Sequence, residues 1–149
     1  MWFTCKIKYD KVSEEGLLKK ESETYMVDAL SFTEAEERFI AEMEPFMSGE
    51  FEVTDIKKTK VAELLESEDT QADKWYKANV ALITLDEKTA KEKKQNCPMF
   101  VQATDFKDAM NRLYQFMAST LGDYTLTSLA ETPIMDVYHV SSSEKNENA

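Results

Sequence analysis

The sequence predicts an α+β fold: a two-layer sandwich of tandem ββαβ(β) repeats sharing a mainly antiparallel sheet, with two helices on one face. Three observations carry this reading. The chain matches itself at an offset of about 73 residues. Short segments in each half alternate apolar and polar side chains with the period of a strand. One stretch per half places apolar residues at helical spacing behind a capping signature.

The self-match runs in order along the unit. Trp2-Phe3 falls on Trp75-Tyr76, and the six residues from Val27 to Phe32 fall on those from Val101 to Phe106. Ala35 and Arg38 fall on Ala109 and Arg112, the latter pair being the chain's two arginines. Gly49-Glu50-Phe51 falls on Gly122-Asp123-Tyr124, Thr54 on Thr127, and Thr59 on Thr132. A shared hydrophobic pattern accounts for the apolar matches. It does not account for paired Trp, Arg, Gly and Thr.

The first strand is read from Phe3, Cys5, Ile7 and Tyr9 inward against Trp2, Thr4, Lys6 and Lys8 outward. Its counterpart turns Tyr76, Ala78, Val80 and Leu82 inward. Polar turns, residues 10–22 and 86–96, lead to second strands at 25–29 and 99–103. Each helix opens on an oxygen-bearing cap followed three residues later by a carboxylate: Ser31 with Glu34, and Asp105 with Asp108. The apolar stripe Phe32, Ala35, Phe39, Ile40, Met43 and Phe46 predicts a helix over 32–46. Phe106, Ala109, Met110, Leu113, Phe116 and Met117 predict another over 106–118. Gly49 and Gly122 stand where each helix must turn into a third strand, 51–59 and 124–132. Short apolar extensions follow at 61–65 and 134–138, and Pro133 belongs at an edge or bend. The expectation is one pseudo-symmetric domain over 1–140: repeat one 1–65, linker 66–73, repeat two 74–140, with 141–149 a flexible tail. A unit of this size with a single helix is marginal alone, which favours two units sharing a core.

Hydrophobic residues make up 42% of the 149, enough for a real core. The net charge of −11 argues against a surface built to grip duplex phosphates. That charge lies almost wholly in residues 1–73, whereas 74–149 are nearly neutral and carry a basic loop at Lys88, Lys91, Lys93 and Lys94. No apolar run approaches the roughly 20 residues that span a bilayer, and the N-terminal residues lack signal-peptide character. A cytoplasmic location without membrane attachment is expected.

The stretches Trp2-Phe3-Thr4-Cys5, Tyr25 to Glu36 and Gly49 to Lys57, with Trp75-Tyr76-Lys77, Thr84 to Lys88 and Met135 to Tyr138, resemble an uncharacterised domain family. That family is associated with gut Bacteroidota and their phages and mobile elements. The resemblance covers essentially the whole chain and implies no catalytic residues.

The residues offer no chemistry of their own. His139, the single histidine, has no cysteine or carboxylate at a recognisable spacing. Cys5 lies on an inward strand face and Cys97 precedes Pro98, with neither disulfide nor metal spacing. Glu34, Glu36, Glu37, Glu42 and Glu44 fit the solvated face of a helix. No catalytic residue, metal or cofactor is expected, and the chain reads as a non-enzymatic binding protein acting through a protein partner or self-association. The alternative is single-stranded nucleic acid bound on an aromatic sheet face formed by Trp2, Lys6, Lys8, Trp75 and Lys77, with Lys91, Lys93 and Lys94 as an electrostatic collar. On that face Met26 and Phe100 also point away from the core row. Large apolar side chains repeated at matched positions also fit a face covered by the terminal extensions or by a second subunit.

Overall fold

The computed structural model describes residues 1–120 and 122–140. In order, the elements are β1 (Trp2–Val12), β2 (Leu18–Asp28), α1 (Phe32–Met43), a 3-10 turn (Glu44–Phe46), β3 (Phe51–Thr59) and β4 (Glu63–Leu65). Then come β5 (Lys74–Leu85), β6 (Glu92–Ala103), α2 (Phe106–Ala118), β7 (Asp123–Thr132) and β8 (Ile134–Tyr138). The mixed α+β character and both helices are as expected. The single shared sheet is not: hydrogen bonding closes two four-stranded sheets, ordered β3-β1-β2-β8 and β4-β6-β5-β7.

The chain accordingly forms two compact units, one of Met1–Lys60 with the chain from Ile134 onward, the other of Val61–Pro133. The terminal extensions are the reason. β4 follows β3 in sequence but pairs in parallel with β6, and β8 follows β7 but pairs in parallel with β2. Each unit is thus completed by a strand encoded in the other half. The unit boundaries fall after Lys60 and at Pro133, not at the linker 66–73. The tail 141–149 lies outside the described residues.

In the first unit, β1 pairs antiparallel with β2 and β3, and α1 packs on these strands. Its core gathers Phe3, Cys5, Ile7, Tyr25, Val27, Ala35, Phe39 and Met43. In the second unit β5 pairs antiparallel with β6 and β7, and α2 packs on β6 and β7. That core gathers Tyr76, Ala78, Val80, Met99, Val101, Ala109, Leu113 and Met117. Each Val, Leu, Ile, Phe or Met among them, fully buried, stabilises by roughly 1.5–3 kcal/mol. Of the helix stripes read from sequence, Ala35, Phe39 and Met43 and Ala109, Leu113 and Met117 face the cores. Phe32, Phe46 and Phe106 at the helix ends are exposed, as are Glu36, Glu37, Glu42 and Glu44. The first helix stops at Met43 rather than running to residue 46, because Pro45 has no amide hydrogen to continue the α-helical ladder and the chain tightens into the 3-10 turn from Glu44.

The hairpins are longer than their apolar pattern. Residues 10–12 pair with 18–20, so the turn shrinks to Ser13–Leu17, with Gly16 at φ +80°. The second hairpin turns at Asp86–Lys91, held by Asp86 carboxylate and carbonyl bonds to the amides of Lys88 and Ala90. Both faces of these projecting ladders meet water, so no alternation marks them. Pro98 is tolerated in the interior strand β6 because its carbonyl faces Ala62, beyond the start of the β4 ladder.

The paired polar residues have matching structural jobs. Thr54 is the extra residue where the β1–β3 register shifts, and its hydroxyl donates to the Lys6 carbonyl. Thr127 does the same between β5 and β7, donating to the Asn79 carbonyl at 2.9 Å. At the helix starts, Ser31 Oγ accepts from the Glu34 amide and Asp105 Oδ1 from the Asp108 amide. Glu34 and Asp108 reach back to the amides of Leu30 and Thr104 and forward to Arg38 and Arg112.

These bonds hold both carboxyls below their ordinary values, for Glu34 chiefly the Arg38 bond and for Asp108 chiefly the Thr104 amide. A depressed folded pKa contributes stability above the ordinary value, which is lost as pH falls through the lowered one. Urea midpoints should therefore fall on acidification below about pH 4.5. Glu34→Gln with Asp108→Asn should flatten that acid limb. An unchanged limb in the double variant would show that the two carboxylates do not contribute.

Candidate aromatic cleft in the first unit

The residues expected to form one lysine-flanked aromatic face do not assemble into it. Trp2, Lys6 and Lys8 lie on β1 of the first unit, whereas Trp75 and Lys77 lie on β5 of the second. Trp75 is 2% exposed, and Met26 and Phe100 are buried as well, outside both helix-side cores. A buried indole offers no face to a base. Trp2 keeps partial exposure and meets His139 edge-on, ring centres 5.2 Å apart. Lys77 Nζ stands 6.0 Å from the centre of the Phe100 ring. Lys77 pairs with Phe100, Lys94 with Ile83 and Lys93 with Thr84, so these two collar lysines lie six and seven β5 positions away, roughly 20–24 Å, and Lys91 lies beyond the ladder. Lys93 there is paired with Asp86 at 3.4 Å. Strand alternation separates two faces; it does not say which of them is covered.

The cysteines are equally withdrawn. Burial, then the Asp55 charge, pushes the Cys5 thiol up to about 12, far from a thiolate nucleophile at neutral pH. Cys97 is buried, its thiol directed at the Gln95 carbonyl. Among the described residues no group of three or more His, Cys, Asp or Glu is placed to hold a metal. No helix among them is long and apolar enough to cross a membrane.

A different site emerges at the end of the first unit's core. Beyond Ile7 and Val27, the inward rows of β1 and β2 continue with Tyr9, Tyr25 and Glu23. Tyr9 donates to Glu23 Oε1 at 2.8 Å and Tyr25 to Glu23 Oε2 at 2.7 Å, so one carboxylate ties two phenols. β8 delivers Tyr138, which stacks on Tyr25 with ring centres 5.8 Å apart and an interplanar angle of 20°. Opposite them, the 3-10 turn after α1 brings Phe46, 73% exposed, and the Met47–Glu50 segment. Together these walls enclose a cleft of about 850 Å³, within the usual range for ligand sites. Its lining carries the carboxylates of Asp10, Glu23, Glu50 and Asp136 against the single ammonium of Lys11.

The second unit has no such cluster. The β1–β2 pairs Ile7↔Glu23 and Cys5↔Tyr25 correspond to Val80↔Cys97 and Ala78↔Met99. Tyr138 lies opposite Val27 as Leu65 lies opposite Val101, and Leu82 takes the place of Tyr9. Thus Tyr9, Glu23, Tyr25 and Tyr138 stand where the second unit packs Leu82, Cys97, Met99 and Leu65 into its core. The fold does not require a polar aromatic cluster here. A signal for it was present in sequence, since Glu23, Tyr25 and Val27 share one strand face and Cys97 replaces the glutamate in the other half.

The phenols should report this geometry. The Glu23 bond raises Tyr9 to about 12, and burial raises Tyr138 to about 12 and Tyr25 further. A raised phenol pKa contributes stability that is complete below pH 10 and lost as pH climbs through the folded value. Burial raises Tyr76 of the second unit as well, so phenolate absorbance should show four tyrosines titrating late, and Glu23→Gln should bring only Tyr9 and Tyr25 down. If Glu23→Gln leaves the titration unchanged, the carboxylate does not tie the two rings.

No curated protein matches the chain at a significant level. The family model described as Domain of unknown function (DUF4494) matches residues 1–140, and the chain belongs to that family.

Proposed function

We propose that this is a non-catalytic binding protein acting through protein–protein contacts, with the first unit's cleft as the docking point. The observation that carries it is the contrast between the units. One unit fills the hairpin-side end of its core with Leu65, Leu82, Cys97 and Met99; the other carries Tyr138, Tyr9, Glu23 and Tyr25 at the matched positions, beside a cleft lined by rings and carboxylates. Opening a core gives up apolar burial, so the cleft answers a need other than folding. The non-catalytic reading is supported by the withdrawn thiols of Cys5 and Cys97 and by the edge-on packing of His139 against Trp2.

The same contrast fits a tandem duplication followed by divergence. The matched bulge threonines, helix caps and arginine pairs support common descent of the halves. In this reading the chain is an accessory protein of a phage or mobile element, acting in the cytoplasm on another protein or on a second copy of itself.

A photo-crosslinking residue at Phe46, on the cleft rim, should yield a discrete protein adduct in cells. The same residue at Leu85, 69% exposed in the second unit, should not. Adduct mass tells a foreign partner from a second copy. Equal labelling from both positions, or none from Phe46, would refute docking at the cleft.

A further inference from the structure

Resting on that reading of the cleft, we infer that it receives a cationic side chain, a lysine or arginine presented on an exposed segment of the partner protein. Three features of the site converge on this chemistry. The first is the ring surface of Tyr9 and Tyr138, both half-buried in the cleft wall with Tyr25 buried behind them, since aromatic faces attract a cation through the ring quadrupole. The second is that Tyr9 and Tyr25 both spend their hydroxyl protons on Glu23. The carboxylate keeps lone pairs for a further donor, and the phenol oxygens accept. A ligand entering here meets acceptors and ring faces. The third is charge: Asp10, Glu50 and Asp136 join Glu23 around the opening, with Lys11 alone opposing them. An anionic group would face four carboxylates, and a purely apolar one would leave them to be desolvated without compensation.

The second unit excludes the trivial explanation that the cluster is a packing solution inherited with the fold. At the matched positions it carries only side chains with no charge and no aromatic face: Leu65, Leu82, Cys97 and Met99. The lining also suits a long flexible cation, since Met47 and the Tyr138 ring offer apolar surface to a methylene stem and the carboxylates receive its head.

The test is a titration of the whole protein with three short blocked peptides that differ at one residue: lysine, arginine, or norleucine, which keeps the stem without the charge. Ring resonances of Tyr9, Tyr25 and Tyr138 should shift with lysine and arginine and not with norleucine, and the effect should weaken as salt rises. Asp136→Asn, an exposed single change, should weaken binding measurably. The set Tyr9→Leu, Glu23→Cys, Tyr25→Met and Tyr138→Leu, which installs the second unit's own residues, should weaken it by about tenfold or more. Binding of norleucine as strong as lysine, or lysine binding untouched by both variants, overturns the inference. A protein adduct at Phe46 with no response to either cationic peptide overturns the cation assignment and leaves the docking reading standing. Loss of both overturns both.

Discussion

The structure depends on a strand that each half cannot supply to itself. A hairpin, one helix and a third strand leave the outer edge of β2 or β6 unpaired, and an open edge is an invitation to aberrant pairing. The fold fills both edges reciprocally, β8 beside β2 and β4 beside β6, each in parallel. Parallel pairing needs a long connection: between β4 and β6 it is the linker with β5, and between β2 and β8 it is everything from α1 to β7. The exchange also decides what lines the end of each core. β4 brings Leu65 to the second unit, and β8 brings Tyr138 to the first. The cleft therefore has a wall drawn from the far end of the sequence.

The two units make like contacts at some matched positions and differ at others. Bulge threonines, N-caps, capping carboxylates and arginines serve the same contacts in both units, so they fix geometry. The positions that differ lie at the hairpin-side end of the inward rows. There the first unit spends apolar contacts on Tyr–Glu–Tyr hydrogen bonds and a stacked ring pair. Such bonds contribute modestly in net terms, and a half-buried carboxylate costs desolvation.

What was legible in the sequence follows from where water lies. Segments with one wet and one dry face announced themselves: the helices at Phe32 and Phe106 and the inner thirds of β1 and β5. The hairpin ends around Lys11, Lys20 and Lys93 are wet on both faces and carry no alternation. The three residues of β4 and five of β8 are too short to name their partner strands, so one shared sheet was the natural expectation where two exist. Trp75 shows the same limit from the other side: alternation assigned its face, and only the fold shows that face to be dry. Glu23 was readable, as a lone carboxylate in an inward row, once the two halves were laid side by side.

The central claim is that the cluster of Tyr9, Glu23, Tyr25 and Tyr138 serves binding rather than stability. Its most direct test is the chemical denaturation midpoint of the four-residue variant carrying Leu, Cys, Met and Leu at those positions. Trp75→Phe in both proteins leaves Trp2 as the reporter within the first unit. The account predicts that the variant is as stable as the parent or more so, because it restores the apolar filling that the second unit uses. A clear loss of stability would contradict it, and would make the cluster a structural element of the first unit's core.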